Sequence, residues 1–442
     1  MSRPEASSSD PMRPGAHIKA GVEVLEEILG RHRPAAVALS DWGKSHRFAG
    51  SGDRAAIGNL VYDALRRKRS LAAQMGSDGP RAVILAAASR ALGISAADVI
   101  AAADGSAYAM EPLTEDERAG LSRGLPSDTA APVLGDFPDW LEPSLHRAFG
   151  ERAVVEAQAL ALRAPVDLRV NTLKADRERV MKALARFSPS PTPFSPLGVR
   201  LRAPEGAGRN PNVENEAAHG KGWYEVQDEG SQIAALMAGA GPRQQVLDIC
   251  AGGGGKTLAF ASAMQNTGQI YAYDDDAARL RPVFERLKRT GVRNVQVMRA
   301  GDASALAALG PRFDLVFCDA PCTGSGAWRR RPDAKWRLKP ANLAQRLDEQ
   351  RTILAMAAPL VKPGGRLVYV TCSVLPEEND DQIAGFLANH SDFAALPWCD
   401  AWTSGIGSEP PPSGHQTDAG LLLTPACHGT DGFFIMVMGR HA

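Results

Sequence analysis

The segment "QVLDICAGGGGKTLAFA", residues 245–261, decides the fold. "QVLDIC" reads as a strand, the four glycines as a turn, and "KTLAFA" as the start of a helix. A phosphate-cradling P-loop needs a glycine five positions before Gly255, and Cys250 stands there, so Gly255-Lys256-Thr257 is half of that motif. The dinucleotide fingerprint also fails, because Gly252-x-Gly254 would be completed at position 257, which is threonine. What remains is an acid at Asp248, a glycine loop that lets a ligand approach the backbone, and a helix.

The same unit recurs downstream. "QIYAYD", "VQVMRA", "FDLVFCDA" and "RLVYVTC" are strand-like, and each is followed by a loop or an amphipathic segment. This alternation predicts an α/β domain, a parallel sheet covered by helices, with functional groups at the carboxyl ends of its strands. Those ends carry Asp274, Asp302 and Asp319. Singly, each acid suits a cap or a turn. Together with the glycine loop they could hold adenosine and an amino-acid tail, which points to S-adenosyl-L-methionine, with Asp274 placed for the ribose hydroxyls.

Working outward, residues 17–150 carry helical periodicity: Ile18, Val22, Leu25 and Leu29 share one face, as do Ile57, Val61, Ala64 and Leu65. Ser95-x-x-Asp98 and Thr114-x-x-Glu117 are helix-start signals. The basic run Arg66 to Arg69 ends a helix, where cations suit the dipole, so a structural role and RNA contact compete evenly. Residues 151–235 read as a small α+β module built on "VDLRVNTLK" and "GVRLR", with Pro204 to Gly222 as an inserted loop; residues 236–442 form the α/β domain.

Composition bounds the function. A 442-residue chain is long enough for two or three domains. Its formal charge is zero, so no global basic field advertises nucleic acid, and any such surface must be local. The six cysteines show no paired zinc spacing and no disulfide framework. No run approaches the roughly 18 apolar residues of a membrane span. Residues 1–16 lack an apolar h-region and are expected to be a disordered leader; a cytoplasmic protein fits best, without metal or membrane. The local basic signal is "WRRRPDAKWRLK", residues 328–339, where two tryptophans and six cations could stack on bases and contact phosphates.

Five segments carry a resemblance: "DICAGGGGKT", "DAPCTGSG", "RRRPDAKWR", "YVTCS" followed by Pro-Glu-Glu-Asn, and "HGTDGFF". They resemble the RsmB/NOP2/Sun family of RNA cytosine-5 methyltransferases. "DRAAIGNLVYDALRR" and "FPDWLEPSLHRAFG" look like that family's helical NusB-like domain and its exit, and "LRVNTLK" and "VQDEGSQ" like its small RNA-binding, RRM-like module. The resemblance implies a Rossmann-like class I methyltransferase domain. Gly253, where the family usually has proline, predicts a looser loop.

The resemblance also assigns roles. Carbon 5 of cytosine is a poor nucleophile, so a thiolate must first add to carbon 6. Cys372 matches the family's nucleophile, and Cys322 the residue that assists release. Asp319 matches the acid that contacts the ring. Cys250, Ala251, Gly252, Gly253, Gly254, Gly255, Lys256, Asp274, Asp302 and Asp319 line the implied cofactor region. A free cysteine is only a few per cent thiolate at neutral pH, so Lys256 or an arginine would activate it. Cys318 and Cys399 read as structural, and Cys427 beside His428 as either a thiol–base pair or a loop beside the site. The implied substrate is 16S ribosomal RNA, with transfer RNA as the alternative, acted on by a monomer. An ATP-driven RNA remodeller would need the glycine missing at position 250, and a non-catalytic RNA-binding assembly factor would only retain the fold.

Overall fold

The computed structural model describes residues 12–415 and 420–442, so the expected leader lies outside the described residues for residues 1–11. A helix already begins at Pro14, where proline is favoured in the first turn. It runs to Arg31 and buries Ile18, Val24, Leu25 and Ile28, while Val22 and Leu29 sit at the margin of the same core. The helix Ser51–Arg66 buries Ile57, Val61, Ala64 and Leu65, as its periodicity predicts. Ser95 and Thr114 each close a capping box, with Asp98 and Glu117 returning the bond to the cap backbone.

The small module is an antiparallel sheet in the order β2-β3-β1-β4, from β1 (Val166–Val170), β2 (Ser190–Pro191), β3 (Gly198–Leu201) and β4 (Tyr224–Val226). The stretch expected as a loop from Pro204 to Gly222 contains a short helix, Ala217–Gly220, and buries Val213 and Ala218 in this module's core. Tyr224 Oη donates to the Val213 carbonyl at 2.6 Å and ties it down.

The large sheet holds β5 (Gln245–Asp248), β6 (Gln269–Ala272), β7 (Val295–Val297), β8 (Phe313–Asp319), β9 (Val361–Thr371), β10 (Phe393–Ala395), β11 (Leu421–Leu423) and β12 (Phe433–Arg440). Its order is β10-β12-β9-β8-β5-β6-β7, with β11 paired to β12. Strands β5 to β9 are mutually parallel and β12 runs antiparallel to β9, a Rossmann-like arrangement. Side chains alternate between two cores: Val246, Leu315, Phe317, Val368 and Val370 face one, and Leu247, Val316, Cys318, Leu367 and Tyr369 the other.

Strand order reverses beside β5: the chain builds β6 and β7 on one flank, then returns to build β8 and β9 on the other. That switch point opens a crevice at the strands' carboxyl ends. Packing also redraws the domain edges. Phe137, Leu141, Leu145 and Phe149, expected at the exit of the helical block, and Leu160, expected in the small module, pack into the core of the large sheet. The helix Glu229–Met237 crosses the boundary expected at residue 235 and buries Ile233 and Met237 against the other face.

Candidate active site

At the switch point β5 ends at Asp248 and the chain turns through the glycines into the helix Gly255–Ala263. Gly254 makes the turn with φ +79°, a left-handed conformation, and its Cα faces Val283 so closely that a Cβ would lie 3.1 Å from the valine methyl. Asp274, buried just beyond β6, accepts from Gly252 N at 2.9 Å and from Asp276 N at 3.1 Å, so it orders the loop from below. Arg286 donates to the Gly253 carbonyl at 2.5 Å while paired with Glu225 at 2.7 Å. At Gly253, where a looser loop is expected, the Arg286 guanidinium ties down the carbonyl.

The loop forms one wall of a cleft of about 620 Å³, which Asp248, Cys250, Lys256, Arg279 and Asp319 also border. Asp248 Oδ2 accepts from Thr257 Oγ1 at 2.6 Å, while Oδ1 is buried without a partner among the described residues. Burial pushes the Asp248 carboxyl up to about 7, against the Thr257 hydrogen bond. Asp302 stands apart. It follows β7 by five residues, caps the helix Ala303–Ala307 by accepting from Ala305 N at 3.0 Å, and does not border the cleft.

The adjacent strands β8 and β9 deliver the thiols. Cys322 lies three residues past Asp319, Cys372 directly past β9, and their Sγ atoms are 3.4 Å apart. Both are half-buried. The Cys322 thiol is pushed well up, by its hydrogen bond with Cys372 and then by burial, so it remains protonated. Lys256 Nζ donates to Asp319 Oδ2 at 2.6 Å. Burial works to lower the Lys256 pKa and is outweighed by Asp319, with Asp248 and Cys372 adding to the rise, so the ammonium stays charged beside the thiol pair.

The two loops are laced together. Buried Glu378 accepts from Thr323 N at 2.8 Å, Thr323 Oγ1 at 2.5 Å and Gln350 Nε2 at 3.0 Å. Ser325 and Ser373 hydroxyls meet at 2.9 Å, and Gly326 N donates to the Cys372 carbonyl at 3.0 Å. Gly326 also packs on Gly432, where a Cβ would lie 2.2 Å from the Gly432 oxygen. This contact brings the "HGTDGFF" loop into the site.

The basic stretch does not serve as the sequence suggests. Trp328 is 2% exposed, and Trp336 packs partly buried on the helical bundle while donating to the Leu65 carbonyl at 2.6 Å. Neither indole is free to stack on a base. Lys335 is buried, donates to the Arg66 carbonyl at 3.0 Å, and has its pKa pushed down to about 7 by burial. Arg329 and Arg330 share Asp431 and Asp228: Arg330 lies 2.5 Å from Asp431 and 2.8 Å from Asp228, and buried Arg329 pairs with both acids. Trp328, Arg329 and Lys335 thus form an internal junction between bundle, module and sheet, while Arg331, Arg337 and Lys339 are exposed. Asp228 and Asp431 lie within quoted motifs, but their pairing across more than 100 positions has no local signal.

Among the remaining cysteines, Cys318 is fully buried in β8, and Cys399 is exposed near the start of the helix Trp398–Ile406 rather than in a loop. Cys427 receives Arg152 Nη2 at 2.8 Å, whereas His428 is buried with Nδ1 accepting from Thr424 N at 3.0 Å. The two do not form a thiol–base pair. Among the described residues no helix is long and apolar enough to cross a membrane, and no group of three His, Cys, Asp or Glu could hold a metal.

A family model described as "16S rRNA methyltransferase RsmB/F" matches residues 236–438, and a second, the ferredoxin-like domain of the same proteins, matches residues 137–206. The chain belongs to the RsmB/F family. It is 35% identical over 304 residues to the "Probable ribosomal RNA small subunit methyltransferase B" of Synechocystis sp., covering 68% of this chain and 66% of that one. It is 34% identical over 278 residues to the "Ribosomal RNA small subunit methyltransferase B" of Sodalis glossinidius, covering 62% and 63%. The chain thus spans just under two thirds of the length of these curated relatives. The solved structure of a methyltransferase homologue from Pyrococcus horikoshii superimposes with a TM-score of 0.59 at 28% identity, over 70% of this chain and 97% of that one.

Proposed function

We propose that this protein methylates carbon 5 of cytosine in RNA, with small-subunit (16S) ribosomal RNA as substrate, through a covalent bond to Cys372. The observation that carries this reading is the pair of sulfurs 3.4 Å apart beside the Lys256–Asp319 ion pair. Two thiols at the ends of adjacent strands serve a reaction that must make and then break a carbon–sulfur bond. The substrate reading draws on the names of the relatives.

The cleft suits S-adenosyl-L-methionine. Asp248 offers an unpartnered buried oxygen to a cation, Asp274 stands behind the glycine loop on the ribose side, and Lys256 and Asp319 close the end toward the thiols. When bound, that group supplies an electrophilic methyl. Cys372, which lies beside the Lys256 charge, adds to carbon 6 as the nucleophile and makes carbon 5 nucleophilic. Asp319 hydrogen-bonds the protonated N3 edge as charge develops there. Once Cys372 is consumed in the carbon–sulfur bond, the hydrogen bond that raises Cys322 is gone, and Cys322 assists removal of the carbon-5 proton and cleavage of that bond. Asp302 supports the cofactor site indirectly, through the turn that packs beside Asp274, where Gly301 N reaches the Asp274 carbonyl at 3.3 Å. The helical bundle acts as a NusB-like RNA-binding domain, in a cytoplasmic monomer.

The test incubates the purified protein with labelled S-adenosylmethionine and either 16S ribosomal RNA or transfer RNA, then digests the RNA to nucleosides. Label in 5-methylcytosine from 16S RNA is expected. Label in another nucleoside, or in neither RNA, overturns the reading; label in transfer RNA alone changes the substrate.

A further inference from the structure

A cavity of about 890 Å³, distinct from the cofactor cleft, opens where the helices Ser51–Arg66 and Pro80–Leu92 meet chain segments 161–163 and 203–206. Arg66, Arg67, Arg90 and Arg163 border it. Arg163 is fully engaged: it pairs with Asp63 at 2.6 and 3.0 Å and donates to the carbonyls of Pro204 at 3.1 Å and Gly206 at 2.7 Å. Arg66 bonds Asp63 and the Arg329 carbonyl, both at 3.0 Å, yet its Nε is buried without a partner among the described residues.

Arg67 and Arg90 both border the cavity, with no side-chain hydrogen bond or ion pair among the described residues. Burial, and next the Arg90 charge, pull the Arg67 pKa down, with Asp136 and Asp63 only partly compensating. Of the carboxylates bordering the cavity, Asp63 is already shared by Arg66 and Arg163, and Glu205 is exposed at the rim. Arg67 is half-buried and Arg90 exposed, so the like charge of Arg90 weighs on a partly dehydrated Arg67 unless an anion joins them.

We propose that this cavity is a second RNA-contact site, which holds phosphodiester groups of the substrate RNA between Arg67 and Arg90. This rests on the reading of the protein as an RNA methyltransferase. No aromatic side chain lines the cavity, so a base finds no stacking platform, whereas a backbone needs only guanidiniums. Hydrogen bonds link the border of the cavity to that of the cofactor cleft. Arg330, on the cleft, donates to the Pro165 carbonyl at 3.0 Å, two residues from Arg163, and Arg66 is bonded to Arg329. In this arrangement one RNA chain would place its target base at the thiols and its backbone in the cavity.

The test compares wild type with the Arg67→Gln/Arg90→Gln double variant, and with an Arg243→Gln/Arg312→Gln control that removes the same charge before β5 and β8, at the opposite end of the sheet. RNA affinity is measured by fluorescence anisotropy across salt concentrations, independently of methyl transfer. The cavity variant should bind RNA about tenfold more weakly, the worth of one charge-assisted hydrogen bond. Its log–log salt slope should fall by about 1.4, from roughly 0.7 per single-strand phosphate contact. Its melting temperature should be unchanged or higher, because a repulsion is relieved. Equal affinity and slope in the cavity variant and wild type, or an equal loss in the control, overturns the proposal. Tripolyphosphate binding that only the cavity variant loses, with RNA affinity intact, assigns the cavity to a small polyphosphate and also overturns it. Wild type that binds RNA through the cavity yet methylates none would sink the functional reading and leave this site standing.

Discussion

Lys256 Nζ reaches Asp319 Oδ2 at 2.6 Å across the strand-order reversal. One residue follows β5 and the other ends β8, so this ion pair joins the glycine loop to the loop that carries Cys322. The glycine loop and the two thiols border one crevice because these two parallel strands are neighbours.

The two cysteines should separate genetically. Cys322→Ala is expected to methylate once and stay attached to its RNA, Cys372→Ala to form no adduct, and the double variant to behave like Cys372→Ala. A denaturing gel with a radiolabelled methyl donor reads all three. Trapping by Cys372→Ala would exchange the roles.

Asp274 and Asp302 should differ. Asp274→Asn gives up one of two acceptors for the loop backbone, and calorimetry should show cofactor affinity reduced about tenfold with RNA binding intact. Asp302→Ala removes only a helix cap, so a slightly lower melting temperature and an affinity within about twofold are expected. Equal losses in the two variants would return Asp302 to the cleft.

Asp248 predicts a pH dependence. Its folded pKa, near 7, lies above the ordinary carboxylate value of 3.8, so its stabilising contribution is complete below about pH 4 and is lost as pH rises through 7. Asp248→Asn keeps an acceptor for Thr257 and should flatten the melting-temperature profile between those values, with a higher melting temperature than wild type at pH 8. A parallel profile would show that Asp248 ionises without penalty.

The arginines after Trp328 are predicted to act in different ways. Arg329→Gln breaks a buried ion cluster and should lower unfolding free energy by roughly 3 kcal/mol in denaturant titration. Arg331→Gln alters an exposed cation and should leave stability unchanged while reducing the salt slope of RNA binding. A loss of stability in Arg331→Gln instead would place that side chain in the junction.

What the sequence by itself determined is local. Strand alternation, the capping boxes at Ser95 and Thr114, the glycine turn and the presence of two thiols after strands all follow from spacing over a few residues, where backbone sterics and period dominate. Tertiary structure alone decided which charges are spent. Arg329 looks like surface until Asp431, 102 positions away, folds beside it, and Trp328 looks like a stacking platform until the core closes over it. The same holds for residues 137–160, whose helical periodicity is plain but whose partner, the large sheet rather than the helical bundle, is not. Periodicity states that a face will be buried. Against what, and which ions meet there, depends on chain segments that only folding brings together.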